Sequence, residues 1–165
     1  MEPTTESSRD SNGDALLDQL ATDYSDSTSF HEFLGVSWLV HEGGLVSVEI
    51  GLRDDLRGPA GNLEGGVLAT LVDAAAAGTA VHLMNSLVVT QQCSISFVSP
   101  CKIGPVRADG TPVHVGRHTS VVQVDVRDIG ADSRLAVFAT VTLRAIGAEQ
   151  QTTHSSHAAT PWGHN

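Results

Sequence analysis

The chain has 165 residues, of which 41% are hydrophobic and 17% charged, enough apolar material for one packed domain and too much for global disorder. Nineteen acidic residues stand against nine lysines and arginines, a formal charge of −10, and aromatics make up only 4%. That balance argues against a basic face for nucleic acid or anionic membrane, and against an aromatic platform for single strands.

The acidity is uneven. Residues 1–32 hold eight acids and one base, Arg9, whereas residues 33–147 hold ten acids and eight bases. A body so low in charge suggests surface covered by another subunit. Residues 1–28 read as an acidic, largely disordered arm in which Leu16, Leu17 and Leu20 share one face of a short helix over 14–24. The N-terminus lacks an apolar h-region, so no secretory signal and a cytoplasmic location are expected. Residues 29–147 form the domain, and residues 148–165 a flexible polar tail.

Within the domain, Val36–His41 and Leu45–Leu52 flank Glu42-Gly43-Gly44, a hairpin signal. Residues 53–63 form a loop containing Gly58-Pro59. Gly65–Met84 is the one long helix. It is interrupted by Asp73 and His82, so it is not read as a membrane span, and it is apolar nearly all round, so it must pack on a sheet. Val88–Val98 is a strand ended by Ser99-Pro100. In Val106–Val115, Gly110 and Pro112 imply a bulge or an edge. Ser120–Asp128 alternates, with Val122, Val124 and Val126 on one face, and Leu135–Ile146 alternates after a turn at Gly130–Ser133. Two strands, a helix and four strands make an α+β fold with an antiparallel sheet. Cys93 and Cys101 would be roughly 26 Å apart on one extended strand, too far to bond, and read as small buried thiols of a reducing compartment.

The chemistry is expected on the helix. Asp73 is its only charged residue, and at 100° per residue it shares a face with Gly66, Ala69, Thr70, Ala77 and Ala80, all small. A carboxylate surrounded by space suits a general base or nucleophile lining a cleft; the bland alternative is a helix face open to water. Gly65-Gly66 open the helix with backbone N–H groups free to meet a ligand oxygen, as an oxyanion requires, although a glycine pair is also a common packing device. Gly65 and Asp73 lie about 12 Å apart along the axis, so one helix would struggle to bring both to one carbonyl. Two helices meeting in a dimer could do so.

These residues carry a resemblance. The run GPAGNLEGGVLATLVD over 58–73, VTQQCSISFVSP over 89–100, Gly104, HVGR over 114–117 and VDVRD over 124–128 are similar to hotdog-fold acyl-CoA thioesterases of the phenylacetate-pathway (PaaI-like) branch. The resemblance covers roughly residues 33–146. It implies a long central helix wrapped by an antiparallel sheet. It also implies homodimers that pair again to a homotetramer, with the site at the subunit interface. By the resemblance, Asp73 is the carboxylate that activates water or attacks the thioester, and Thr90 a hydroxyl that positions it. The N–H of Gly65, joined by that of Gly66, polarises the carbonyl from the other subunit. No metal or redox cofactor is implied, because coenzyme A is part of the substrate. The chain departs from the pattern at Gly58 (often Asn or Gln), Glu64 (often His or Gln) and Ala77 (a hydroxyl residue in some members). Glu64 of one subunit could share a proton with Asp73 of the other, or else point to solvent at the helix start.

Coenzyme A phosphates need cations, and Lys102, Arg107, Arg117 and His118 are the candidates. His154, His157 and His164 read as a polar run rather than a metal site. His82 lies opposite Asp73 on the helix wheel, so no Ser/His/Asp triad is expected, and the Gly-x-Ser-x-Gly motif is missing. An acyl-CoA or acyl-carrier-protein dehydratase is the rival on the same fold, but no histidine stands in a matching place. A non-catalytic acyl-CoA binding or sensing protein is the rival from another class.

Overall fold

The structure, a computed structural model, describes residues 30–146. The helix expected over 14–24 and the polar tail lie outside the described residues. In chain order the elements are α1 (Phe30–Leu34), β1 (Ser37–Val40), β2 (Val46–Ile50), α2 (Gly65–Met84), β3 (Val88–Phe97), β4 (Val106–Val115), β5 (Thr119–Asp128) and β6 (Arg134–Ala145). The strands form one antiparallel sheet in the order β1-β2-β4-β5-β6-β3, with α2 packed across it.

Alternation decides what faces α2. Val122, Val124 and Val126 of β5 and Val137, Ala139, Val141 and Leu143 of β6 are buried toward the helix. Each such valine or leucine side chain contributes about 1.5–3 kcal/mol of transfer free energy. By length and composition α2 could cross a membrane; instead it is the core helix, with 61% of its most apolar stretch buried. Small residues let it sit close to the sheet. A Cβ on Gly110 would lie 2.8 Å from the Ala75 carbonyl oxygen. Thr79, also buried, accepts the Val46 N–H at 3.1 Å, which stitches α2 to β2. Asn85, left-handed at φ 48°, ends the helix.

Three bulges interrupt the ladder, one of them in β6, where Val126 pairs with Val137 and Arg127 with Leu135 and Ala136 is left extra. Thr90 pairs with Leu143 and Gln92 with Thr142, so Gln91 is an extra residue in β3. In β4, Pro112 pairs with Val122 and His114 with Val121, which leaves Val113 extra. The bulge read from Pro112 is therefore present. Because β2 pairs only with Val106–Asp109, Pro112 also lies where β4 has no second partner.

Three readings need correction. Cys101 is buried, but Cys93 is exposed, because edge strand β3 has a neighbour on one side only. Ala80, placed on the Asp73 face, is fully buried. The short helix α1 has no counterpart in the sequence reading, since five residues are too few for a helical period to register.

Candidate active site

Asp73 stands at mid-length on α2 with its carboxylate exposed. The Thr90 hydroxyl of β3 donates to its Oδ1 at 2.6 Å. The β3 bulge makes this contact. Thr90 sits opposite Leu143, whose side chain faces α2, while Cys93, Ile95 and Phe97 sit opposite Val141, Ala139 and Val137, which face it too. Thr90 and Cys93 are three residues apart, an odd spacing that regular alternation would put on opposite faces. The extra residue Gln91 restores the match.

Small side chains keep the surroundings open. Gly66 is exposed, with nothing within 4 Å of an added Cβ, and Ala69 and Ala77 are half-buried. The Thr70 hydroxyl is used within the helix, on the Gly66 carbonyl at 3.0 Å.

Asp73 also acts at a distance. Burial lowers the pKa of His31 on α1, and the Asp73 charge partly opposes that shift. Burial raises the Cys93 thiol pKa, and the same carboxylate adds to it. The sequence reading finds no histidine matched to Asp73; the fold brings one within electrostatic reach. His31 packs edge-on against Trp38, with ring centroids 5.8 Å apart. Helix α1 is anchored by buried Leu34 and by Arg53, whose Nη2 donates to the Phe33 carbonyl at 3.0 Å.

The other half of the site is the start of α2. Its first N–H groups have no carbonyl a turn earlier to bond. Glu64 precedes them at φ −59°, ψ 139° without a side-chain cap. The Phe97 ring would lie 3.7 Å from a Cβ on Gly65. Beside it opens a cavity of 390 Å³, lined among others by Leu63, Gly65, Leu68, Phe97, Val98 and Pro100. The surrounding loop is pinned. The Cys101 carbonyl accepts the Leu63 N–H at 2.9 Å, and the Leu56 carbonyl accepts the Glu64 N–H at 3.0 Å.

Glu64 turns toward Gly58: a Cβ there would lie 2.8 Å from Glu64 Oε1. The two departures thus fit one another, because a side chain at 58 would displace the Glu64 carboxylate. The candidate cations separate. Lys102 precedes β4, while Arg117 and His118 follow it, so they lie at opposite ends of a ten-residue strand, about 33 Å long. Arg107 is on the sheet face away from α2, paired with Glu49 at 3.4 Å. One chain does not gather all four.

The family model of the thioesterase superfamily matches residues 60–133, a span holding the α2 start, Asp73 and Thr90. The candidate esterase SSO2140 of Saccharolobus solfataricus is 30% identical over 106 residues, 63% of this chain and 74% of that protein.

The chain belongs to the thioesterase superfamily.

Thioester hydrolysis in general goes with that membership, and the architecture is the hotdog fold. The Escherichia coli PaaI protein of the phenylacetic acid degradation operon superposes with a TM-score of 0.72 at 18% identity, covering 85% of this chain and 97% of that one. Thioesterase HI1161 of Haemophilus influenzae gives a TM-score of 0.69 at 24% identity, covering 79% and 88%. AziG of S. sahachiroi gives 0.65 at 27% identity, covering 71% and 95%.

Proposed function

We propose that the chain hydrolyses an acyl-CoA thioester in a site shared by two subunits. One observation carries this: Asp73, exposed and oriented by Thr90 at 2.6 Å, stands eight residues from the N–H donors of Gly65 on the same helix. That separation, about 12 Å along the axis, is too long for one chain to hold and attack a single carbonyl. A second copy removes the difficulty. Strand β3 is an edge with Val89, Phe97 and the adjoining Val98 exposed, and an apolar edge calls for a partner. Pairing two β3 edges about a two-fold axis runs the two α2 helices past one another, Asp73 of one toward Gly65 of the other. Such dimers can pair again to a tetramer.

In this site the N–H groups of Gly65 and Gly66 hold the thioester oxygen. Asp73 takes a proton from water as the water oxygen bonds to the carbonyl carbon, or else attacks that carbon itself to form an anhydride, which water hydrolyses after the thiolate has left. The C–S bond breaks, the coenzyme A thiolate leaves with the electron pair, and the acid is released. Thr90 keeps the carboxylate aimed by donating to its other oxygen.

Free-thiol release from short, medium, long and aryl acyl-CoA thioesters tests this. The wild type is expected to turn over at least one class, and Asp73→Asn to lose about 100-fold or more. Acyl-CoA binding without turnover in the wild type would contradict hydrolysis and leave a binding protein.

A further inference from the structure

Three cations converge on one short segment next to the cavity at Gly65. Arg57 Nη1 donates to the carbonyls of Gly61 at 2.7 Å and Lys102 at 3.2 Å. Arg134 Nη2 donates to the Pro100 carbonyl at 3.0 Å, and Pro100 lines the cavity. Lys102, whose carbonyl is one of these anchor points, has its backbone N–H tied to Asp128 Oδ2 at 2.8 Å while the residue is exposed. The three side chains come from the loop before α2, the loop after β3 and the start of β6. Only Lys102 stands out as a candidate in the sequence.

A guanidinium carries five N–H donors; Arg57 spends Nε and Nη1 on Asp54, Gly61 and Lys102, which leaves Nη2, and Arg134 spends one donor on Pro100. Three carboxylates lie nearby. Asp54 pairs with Arg57 Nε at 3.0 Å, but its side chain is 99% exposed, so water and salt screen the pair heavily. Asp128 is consumed by backbone N–H groups, and Glu64 turns to Gly58. The segment therefore offers cationic donors on a chain whose formal charge is −10, where a polyanionic ligand is otherwise repelled.

We propose that Arg57, Lys102 and Arg134 bind the phosphate groups at the nucleotide end of the coenzyme A thioester, whose remaining arm follows the cavity to the Gly65 N–H. The inference rests on the acyl-CoA reading above. Planar guanidinium groups match phosphate oxygens two at a time, and a lysine adds a point charge. The cavity supplies the uncharged passage in between, with Leu63, Leu68, Phe97 and Val98 on its walls.

The test compares two substrates carrying the same acyl group, one on coenzyme A and one on pantetheine, which has no phosphate. In Lys102→Glu, whose side chain anchors nothing in the fold, KM for the coenzyme A thioester is expected to rise about tenfold, equivalent to about 1.4 kcal/mol. Its kcat, and both constants for the pantetheine thioester, stay near wild type, which also shows that the variant is folded. Lys102→Gln gives a smaller change in the same direction. Equal changes with both substrates, or none with either, would overturn the phosphate site while leaving hydrolysis intact. A wild type that cleaves neither substrate would instead overturn the acyl-CoA reading.

Discussion

Asp128 holds the loop before β4 in place, and through it the start of α2. Its fully buried carboxylate accepts the N–H groups of Lys102 at 2.8 Å, Ile103 at 3.1 Å and Gly104 at 2.8 Å. Burial alone would raise its pKa; the three N–H bonds and the nearby Arg134 outweigh that and hold the carboxyl below its ordinary value of 3.8. A depressed folded pKa means the stabilisation is fully present above the ordinary carboxylate value and is lost as pH falls through the folded one. Asp128→Asn is expected to cost about 2–3 kcal/mol at neutral pH and to flatten the acid limb of stability, read by denaturant unfolding between pH 7 and 3. An unchanged acid limb would mean that other carboxylates control it. At this scale the sequence marks Asp73, because a lone charge in an apolar helix is visible in the string itself. It does not mark His31, Arg57 or Arg134, whose positions come from loops folding back in space, which no local spacing encodes.

Among the elements, α2 is legible to the residue. Gly65-Gly66 open it, Asn85 closes it in a left-handed conformation, and apolar residues fill the length between. Strand β4 is also read at its observed bounds, and β5 and β6 to within a residue, because their valines alternate. What escapes is the β3 bulge. Val88–Phe97 is apolar and polar without strict alternation, so nothing in it says which side Thr90 takes. Only pairing with β6 settles that, through Leu143 opposite Thr90 and Val141 opposite Cys93. Deleting Gln91 is therefore expected to turn Thr90 to the far face of the sheet. Thiol release should fall about tenfold, matching the loss of one hydrogen bond to a charged group of roughly 1.5 kcal/mol. Gln91→Ala, which keeps the extra residue, is expected to retain activity. Equal activity in both variants would show that Thr90 does not orient Asp73.

For the whole molecule, the decisive feature is that each chain carries the two halves of the proposed site at separate places along one helix. The low surface charge and the exposed apolar residues of edge strand β3 agree with a body built to be covered by a second copy. The central claim is that Asp73 of one subunit acts on a carbonyl held by Gly65 of another. Subunit complementation tests it most directly. Gly65→Pro removes the N–H where proline is favoured, at the first helical position, and Glu64 at φ −59°, ψ 139° already has the backbone that a following proline requires. Gly65→Pro and Asp73→Asn chains, each inactive alone, are co-expressed with different tags and purified as the mixed dimer. One of its two sites then combines an intact Asp73 with an intact Gly65, so thiol release should return to about half of the wild-type turnover per dimer. A mixed dimer as inactive as its parents would contradict a site shared between subunits.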